Sequence, residues 1–387
     1  MTVSEKKGFS LSAEMAGRGL RAPVNVTWEI TLKCNLHCVH CLSSAGEVRD
    51  TELSTEECRG LIDQWADLKV FQVNIGGGEP FAREDFIDLM AHAHEKGLVT
   101  CVSTNGLLVD RSLAKRLAEF PMLYLQVSLD GATEEVNDAI RGQGTYRRIL
   151  EAMDCLSREE VPFSINTVLT RRNYPQLNAL RNLAKEYGAE LRVSRFRPSG
   201  RGKKSMDELG PHKEQLEAFA EWLERHDRVR TGDSFFCLTS EKRRIKGLDM
   251  CGAAKMTCCV SPCGKVYPCA FLQEETFLCG EVRSQRFKEI WDRSTVLRQF
   301  RSLEVQSCSK CYRFESCRGG CPAMAFHMYH DISMPDPECL VNLKLGAGHK
   351  LQGVRPRTTG SGWNNLSLNK AGLFSPVTWI LALLPFS

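Results

Sequence analysis

The chain has 387 residues, a formal net charge of +4 and ordinary shares of hydrophobic (42%) and charged (25%) residues. That length holds a large α/β unit with an appendage, and so small a charge excludes a nucleic-acid surface as the organising feature. Its 18 cysteines follow a polar start with no apolar leader, which excludes a secreted disulfide scaffold and predicts metal or iron–sulfur ligation in a reducing cytoplasm, off the membrane.

Residues 1–22 read as a polar lead-in. From there to about 205, strand-like runs (24–31, 70–75, 98–103, 123–129, 163–169 and 190–196) alternate with amphipathic helical patterns at 54–68, 84–95, 111–120, 146–158 and 174–187. Ser54-Thr55-Glu56-Glu57 has the form of a capping box. Six strand–helix repeats predict a parallel sheet with right-handed crossovers. An eight-fold barrel takes roughly 250 residues, so a partial (β/α)6 barrel of the TIM type fits the length better, with its chemistry at the C-terminal strand ends. Residues 206–247 read as a charged connector, and 248–343 as a small cysteine-rich domain too poor in apolar runs to fold well without metal. The tail, 344–387, closes with a prolyl-interrupted apolar run at 374–386 that is too short to span a bilayer.

Every chemically suggestive motif falls at a strand end. After the first strand comes Cys34-Asn35-Leu36-His37-Cys38-Val39-His40-Cys41. A cubane [4Fe–4S] cluster is normally held by four cysteines, so three on one loop leave one iron open; the plainer alternative is a zinc knuckle. Gly76-Gly77-Gly78-Glu79-Pro80 ends the second strand. Its glycines permit close backbone approach to a ligand, and its carboxylate suits an ammonium partner. Ser103-Thr104-Asn105-Gly106 and Ser128-Leu129-Asp130-Gly131 end the next two, with Arg141 shortly after. Arg195-Phe196-Arg197-Pro198-Ser199-Gly200-Arg201-Gly202 ends the sixth, where arginine suits a carboxylate of cofactor or substrate. Downstream, Cys251 is followed by Gly264 and Cys269, then by Cys308, Cys311, Cys317, Cys321 and Cys339.

The CxxxCxxC loop with the GGE turn resembles the radical S-adenosylmethionine (SAM) enzymes, and the later cysteines resemble the SPASM extension. The resemblance implies that Cys34, Cys38 and Cys41 hold a [4Fe–4S] cluster whose open iron chelates SAM. It implies SAM contacts from Gly77, Gly78, Glu79, Ser128, Asp130, Arg141 and Arg195. His40 stands where the family usually has an aromatic ring, and an imidazole can still stack on adenine. Two auxiliary [4Fe–4S] clusters are implied, making three: Cys251, Cys258, Cys269 and Cys321 for the first, and Cys308, Cys311, Cys317 and Cys339 for the second. Cys259 and Cys263 compete with Cys258. Cys58, Cys101, Cys155, Cys237 and Cys279 match no motif and read as small hydrophobes.

Residues 21–343 look most like the mycofactocin radical SAM maturases. Val26-Thr27-Trp28-Glu29, Arg197-Pro198-Ser199-Gly200-Arg201-Gly202, Gly232-Asp233-Ser234-Phe235-Phe236 and Cys317-Arg318-Gly319-Gly320-Cys321 are among the stretches that carry this likeness. The likeness implies a small precursor peptide ending in Val-Tyr, presented by a small peptide-chaperone protein, and an external one-electron donor. The C-terminal tyrosine would be oxidatively decarboxylated and then joined to valine by a carbon–carbon bond. The Glu–Tyr cross-linking maturase of pyrroloquinoline quinone biosynthesis is the enzymatic alternative. Anaerobic sulfatase maturases carry an aspartate after the second SPASM cysteine, where this chain has Ala270. A non-catalytic zinc or redox-sensing protein would need none of the glycine and carboxylate motifs.

Overall fold

The computed structural model describes residues 20–48, 51–226, 229–231 and 251–341. Most of the lead-in, the Gly232–Phe236 stretch with Cys237, and the tail beyond 341 lie outside the described residues. The chain forms two compact units: Arg21–Phe235 with Gly252–Leu303, and a second containing Met1–Leu20, Phe236–Cys251 and Glu304–Ser387.

The first unit is built on one sheet. Strands β1 (Asn25–Thr31), β2 (Gln72–Gly77), β3 (Val99–Thr104), β4 (Leu123–Ser128), β5 (Phe163–Leu169) and β6 (Glu190–Arg195) lie side by side, all parallel. Helices α1 (Thr55–Asp67), α2 (Phe86–Glu95), α3 (Arg111–Ala118), α4 (Glu134–Arg141), α5 (Thr145–Arg158) and α6 (Leu177–Glu186) connect them. The capping box forms as the sequence implies: Ser54 Oγ accepts from the Glu57 amide at 3.2 Å and Glu57 Oε2 from the Ser54 amide at 2.8 Å. On one face of β1, Val26, Trp28 and Ile30 are buried. Trp28 meets Trp65 of α1 edge-on at 5.1 Å, and Trp65 meets Phe287 at 5.9 Å. The sheet's other face carries Thr27, Glu29 and Thr31, because side chains alternate along a strand.

The sheet is wider than six strands. After α7 (Gly202–Leu209) and α8 (Lys213–Arg225), β7 (Val229–Thr231) adds to β6 in parallel. At the other edge β8 (Thr257–Val260) pairs in parallel with β1, and β9 (Lys265–Tyr267) and β10 (Gly280–Glu281) continue antiparallel. Helix α9 (Phe287–Arg293) packs on α1, with α10 (Thr295–Arg301) after it. Within residues 252–303, which share the first unit, β8, β9 and β10 thus extend the sheet. The second unit's described part contains two short helices, α11 (Phe314–Cys317) and α12 (Pro322–Tyr329). No described helix is long and apolar enough to cross a membrane.

Candidate active site

The loop bearing Cys34, Cys38 and Cys41 leaves β1 and closes on itself. Lys33 bridges Gly46, with the Cys34 amide on the Gly46 carbonyl (2.8 Å) and the Gly46 amide on the Leu32 carbonyl (2.8 Å). The Val39 amide donates to the Ile140 carbonyl of α4 at 3.1 Å, and the Cys41 amide turns back to the Cys38 carbonyl at 3.2 Å. All three thiols are half-buried and within electrostatic reach of one another. Burial raises the Cys34 thiol and pushes Cys38 to about 11, so metal binding here must displace protons. Among the described residues no three His, Cys, Asp or Glu side chains converge as the ligands of a single ion do. A cubane asks for a different arrangement, since each of its thiolates takes its own iron.

The glycine turn after β2 is pressed against this loop. Gly78 and Glu79 donate their amides to the Thr31 and Lys33 carbonyls at 2.7 and 2.8 Å. A Cβ at Gly77, whose φ is +109°, would stand 2.5 Å from the Thr31 oxygen, and one at Gly78 would stand 2.2 Å from the Lys33 oxygen. These two glycines therefore let the turn approach the backbone at the start of the cysteine loop. Gly76, level with Ser103, meets no backbone there. Glu79 is fully buried. Its Oε1 accepts from Thr104 Oγ1 (2.8 Å) and the Phe81 amide (3.2 Å), and its Oε2 from the Asn105 amide (2.7 Å). Burial outweighs those donors and pushes its carboxyl up to about 7. Asn105 in turn reaches the cluster loop, donating to Asn35 Oδ1 at 2.8 Å and standing 3.8 Å from Cys34 Sγ.

Asp130, expected among the SAM contacts, is fully buried. Its Oδ2 lies 2.8 Å from both His40 Nε2 and Arg141 Nε, and Oδ1 accepts from the Val168 amide at 2.8 Å. Burial opposes ionisation, but the charge of Arg141 and the neighbouring His40 hold the carboxyl at about 2. His40 thus has one ring nitrogen against the Asp130 carboxylate, while its buried Nδ1 has no hydrogen-bond partner. Arg141 also presents its carbonyl 3.9 Å from Cys38 Sγ. These three side chains pin the cluster loop to the ends of β4 and α4, which sequence reasoning had assigned to cofactor contact.

Ser128 stands beside Asn166 in register, and Ser194 Oγ donates to Asn166 Oδ1 at 2.7 Å. This row of small polar groups at the strand ends suits a polyhydroxylated ligand. Arg195, 3% exposed, follows Ser194 and so faces the other side of β6. Asn166 and Ser194 were not singled out from the sequence; their alternate spacing from strand ends was the signal available.

In the second unit Cys308, Cys311, Cys317 and Cys339 line one cavity together with Arg313 and Phe314. Asp336 shapes it: Oδ2 accepts from the Cys321 amide and Oδ1 from the Glu338 amide, both at 3.0 Å. Burial pushes the Cys317 thiol to about 12. Four thiols around one cavity fit a cubane's ligand set. Cys251 and Cys321 belong to this unit and Cys269 to the other. Cys258 is level with Val26, on the face that packs against helices, and lies near Cys279 and Arg301. Cys259 takes the opposite face, level with Thr27, within reach of Glu29 and Cys269. All described cysteines are free; of the unassigned ones Cys58 and Cys101 are buried, Cys155 and Cys279 half-buried.

Comparison with known proteins settles the family. The Radical SAM superfamily model matches residues 28–184, and the iron-sulfur cluster-binding domain SPASM matches 251–321. Mycofactocin maturase MftC of Mycolicibacterium smegmatis is 41% identical over 353 residues, 90% of each chain. This chain is a radical SAM peptide maturase of the SPASM family. An AdoMet-dependent heme synthase of Methanosarcina barkeri is 32% identical over 82% of this chain and 97% of that one. The maturase also shares its fold with Streptococcus suis SuiB bound to S-adenosylmethionine, at a TM-score of 0.70 and 18% identity, over 87% of this chain and 81% of that one. The family implies SAM, a [4Fe–4S] cluster and further iron–sulfur clusters, and the three half-buried thiols beside a polar row fit such a set.

Two outcomes follow for the maturase. Asp130→Ala leaves the buried Arg141 charge uncompensated and should cost about 3–5 kcal/mol in a denaturant titration. For Glu79 the sign is set by a carboxyl raised from 4.5 to about 7 in the folded chain: the folded state keeps a proton that the unfolded state has lost. Without SAM, stability should fall as pH rises from about 4.5 to about 7 and level off above. Thermal melts should show that slope in wild type and not in Glu79→Gln.

Proposed function

We propose that this enzyme matures a mycofactocin precursor peptide, a small peptide ending in Val-Tyr, by oxidative decarboxylation of the tyrosine and then a carbon–carbon bond between valine and tyrosine. The observation that carries this reading is the 41% identity over nine-tenths of both chains to a relative named mycofactocin maturase, against 32% for the heme synthase. A small chaperone protein would present the peptide, and an external one-electron donor would feed the clusters.

When bound, SAM and the cluster supply a 5′-deoxyadenosyl radical that takes a hydrogen atom from an unactivated carbon. The chain's own residues do the rest. Cys34, Cys38 and Cys41 would hold the cluster, and the closed loop with its Gly77–Gly78 contact keeps them half-buried. Glu79 would accept from the SAM ammonium at one of its oxygens, a partner that favours its ionised form. Gly77 and Gly78 would shape that subsite through their backbone, Ser128 with Asn166 and Ser194 would bind the ribose hydroxyls, and His40 Nδ1 is a polar atom available to the adenine. Asp130, Arg141 and Arg195 act behind this layer. Of the two auxiliary clusters, one would be held by Cys308, Cys311, Cys317 and Cys339. The other would draw on Cys269 and on Cys259, which lies within electrostatic reach of it.

Anaerobic reconstitution should load about 12 irons, and changing Cys34, Cys38 and Cys41 together to Ala should remove about four and abolish 5′-deoxyadenosine formation. With the Val-Tyr peptide and its chaperone, mass spectrometry should show a loss of about 46 mass units, CO2 plus two hydrogens. An unchanged peptide mass, with SAM cleavage intact, would redirect attention to the Glu–Tyr cross-linking alternative.

A further inference from the structure

The sequence of Arg195–Gly202 suits a loop that binds a carboxylate. Its last arginine is occupied otherwise. Arg201 takes three backbone carbonyls of the cluster loop at once: its amide donates to Cys41 O at 2.9 Å, Nε to Cys38 O at 3.0 Å and Nη1 to Ala45 O at 2.5 Å. Gly200, with φ +54°, lies so close that a Cβ there would stand 2.3 Å from the Leu42 oxygen. One turn further, Ser205 Oγ donates to Val39 O at 2.9 Å. Every one of these acceptors belongs to a loop with hardly any regular structure, whose carbonyls must find donors outside it.

We infer that Arg201 is a positioning residue of the SAM cluster: its planar fork ties the Cys38 carbonyl to that of Ala45 at the loop's exit, and so sets the Cys38 turn and hence how the open iron faces SAM. The Cys41 carbonyl is taken by the main-chain amide, a bond that every variant at this position keeps. A guanidinium serves such divergent acceptors at fixed angles, which a lysine ammonium on a flexible stem does not. The side chain also places a positive charge beside a site that gathers three thiolates. Arg201 makes none of the contacts assigned to SAM or peptide, so its role is exerted through the loop. The inference rests on membership of the radical SAM family and not on the identity of the peptide.

The test uses the full-length, anaerobically reconstituted enzyme without peptide, in the variants Arg201→Lys, Arg201→Gln and Arg201→Ala. Three quantities are read: iron content, the change that SAM induces in the EPR spectrum of the reduced protein, and the rate of 5′-deoxyadenosine formation with dithionite. The expected result is iron content close to wild type in Arg201→Lys and Arg201→Gln, an altered SAM-induced EPR change, and cleavage reduced at least about ten-fold in Arg201→Gln and Arg201→Ala, a loss of about 1.4 kcal/mol in barrier terms. Arg201→Lys should recover part of both. Cleavage and EPR within two-fold of wild type in Arg201→Ala would overturn the proposal. So would loss of the cluster in all three variants, which would make Arg201 a retention residue rather than one that orients a bound cluster.

Discussion

A stretch of backbone that must hold three thiols in a set arrangement, yet forms neither helix nor strand, depends on hydrogen bonds supplied from elsewhere. In this chain they come from four separate places. The glycine turn after β2 takes up Thr31 and Lys33, the end of α4 takes up Val39, Asn105 reaches Asn35, and Arg201 binds Cys38, Cys41 and Ala45. The parallel sheet matters because it delivers all four to one end. Parallel strands return through helices, so successive strand ends, and the loops on them, gather at the same edge.

The same logic explains why charged residues sit where they do. Asp130 is buried, a costly place for a carboxylate unless it is paired. It is ion-paired to Arg141 and stands 2.8 Å from His40 Nε2, and so fastens the loop of Cys34, Cys38 and Cys41 to the sheet. Glu79 is equally buried, but burial outweighs its neutral hydrogen-bond donors and the lesser pull of Arg141, so its carboxyl is raised while that of Asp130 is depressed. Two buried carboxylates near one loop thus differ in kind. Asp130 holds its charge as part of the frame, whereas Glu79 keeps its proton to higher pH.

Much of this was legible in the amino-acid order. Apolar runs of strand length separated by amphipathic segments mark β1 to β6 to within a residue or two. Cysteine spacing marks the loop and the cavity in the second unit. What stayed hidden depends on side-chain direction and on long-range pairing. Thr257–Val260 is four residues in a cysteine-rich context and carries no strand signal strong enough to place it beside β1. Cys258 and Cys259 are adjacent and chemically identical, and only the register of that strand tells which faces Cys269. The arginines ending β6 look interchangeable in sequence, but Arg195 turns to the far side of the strand while Arg201 reaches back across to the first loop. Gly77 and Gly78 were rightly conspicuous, although what comes close to them is the chain itself.

Three cysteines on this loop would leave one iron free to be chelated by SAM. The most direct measurement is electron–nuclear double resonance on the reduced enzyme with SAM carrying a heavy-nitrogen label on its amino group. Such chelation predicts a hyperfine coupling between that nitrogen and the cluster, lost when Cys34, Cys38 and Cys41 are all replaced. A bound, labelled SAM that shows no coupling to any cluster would contradict it.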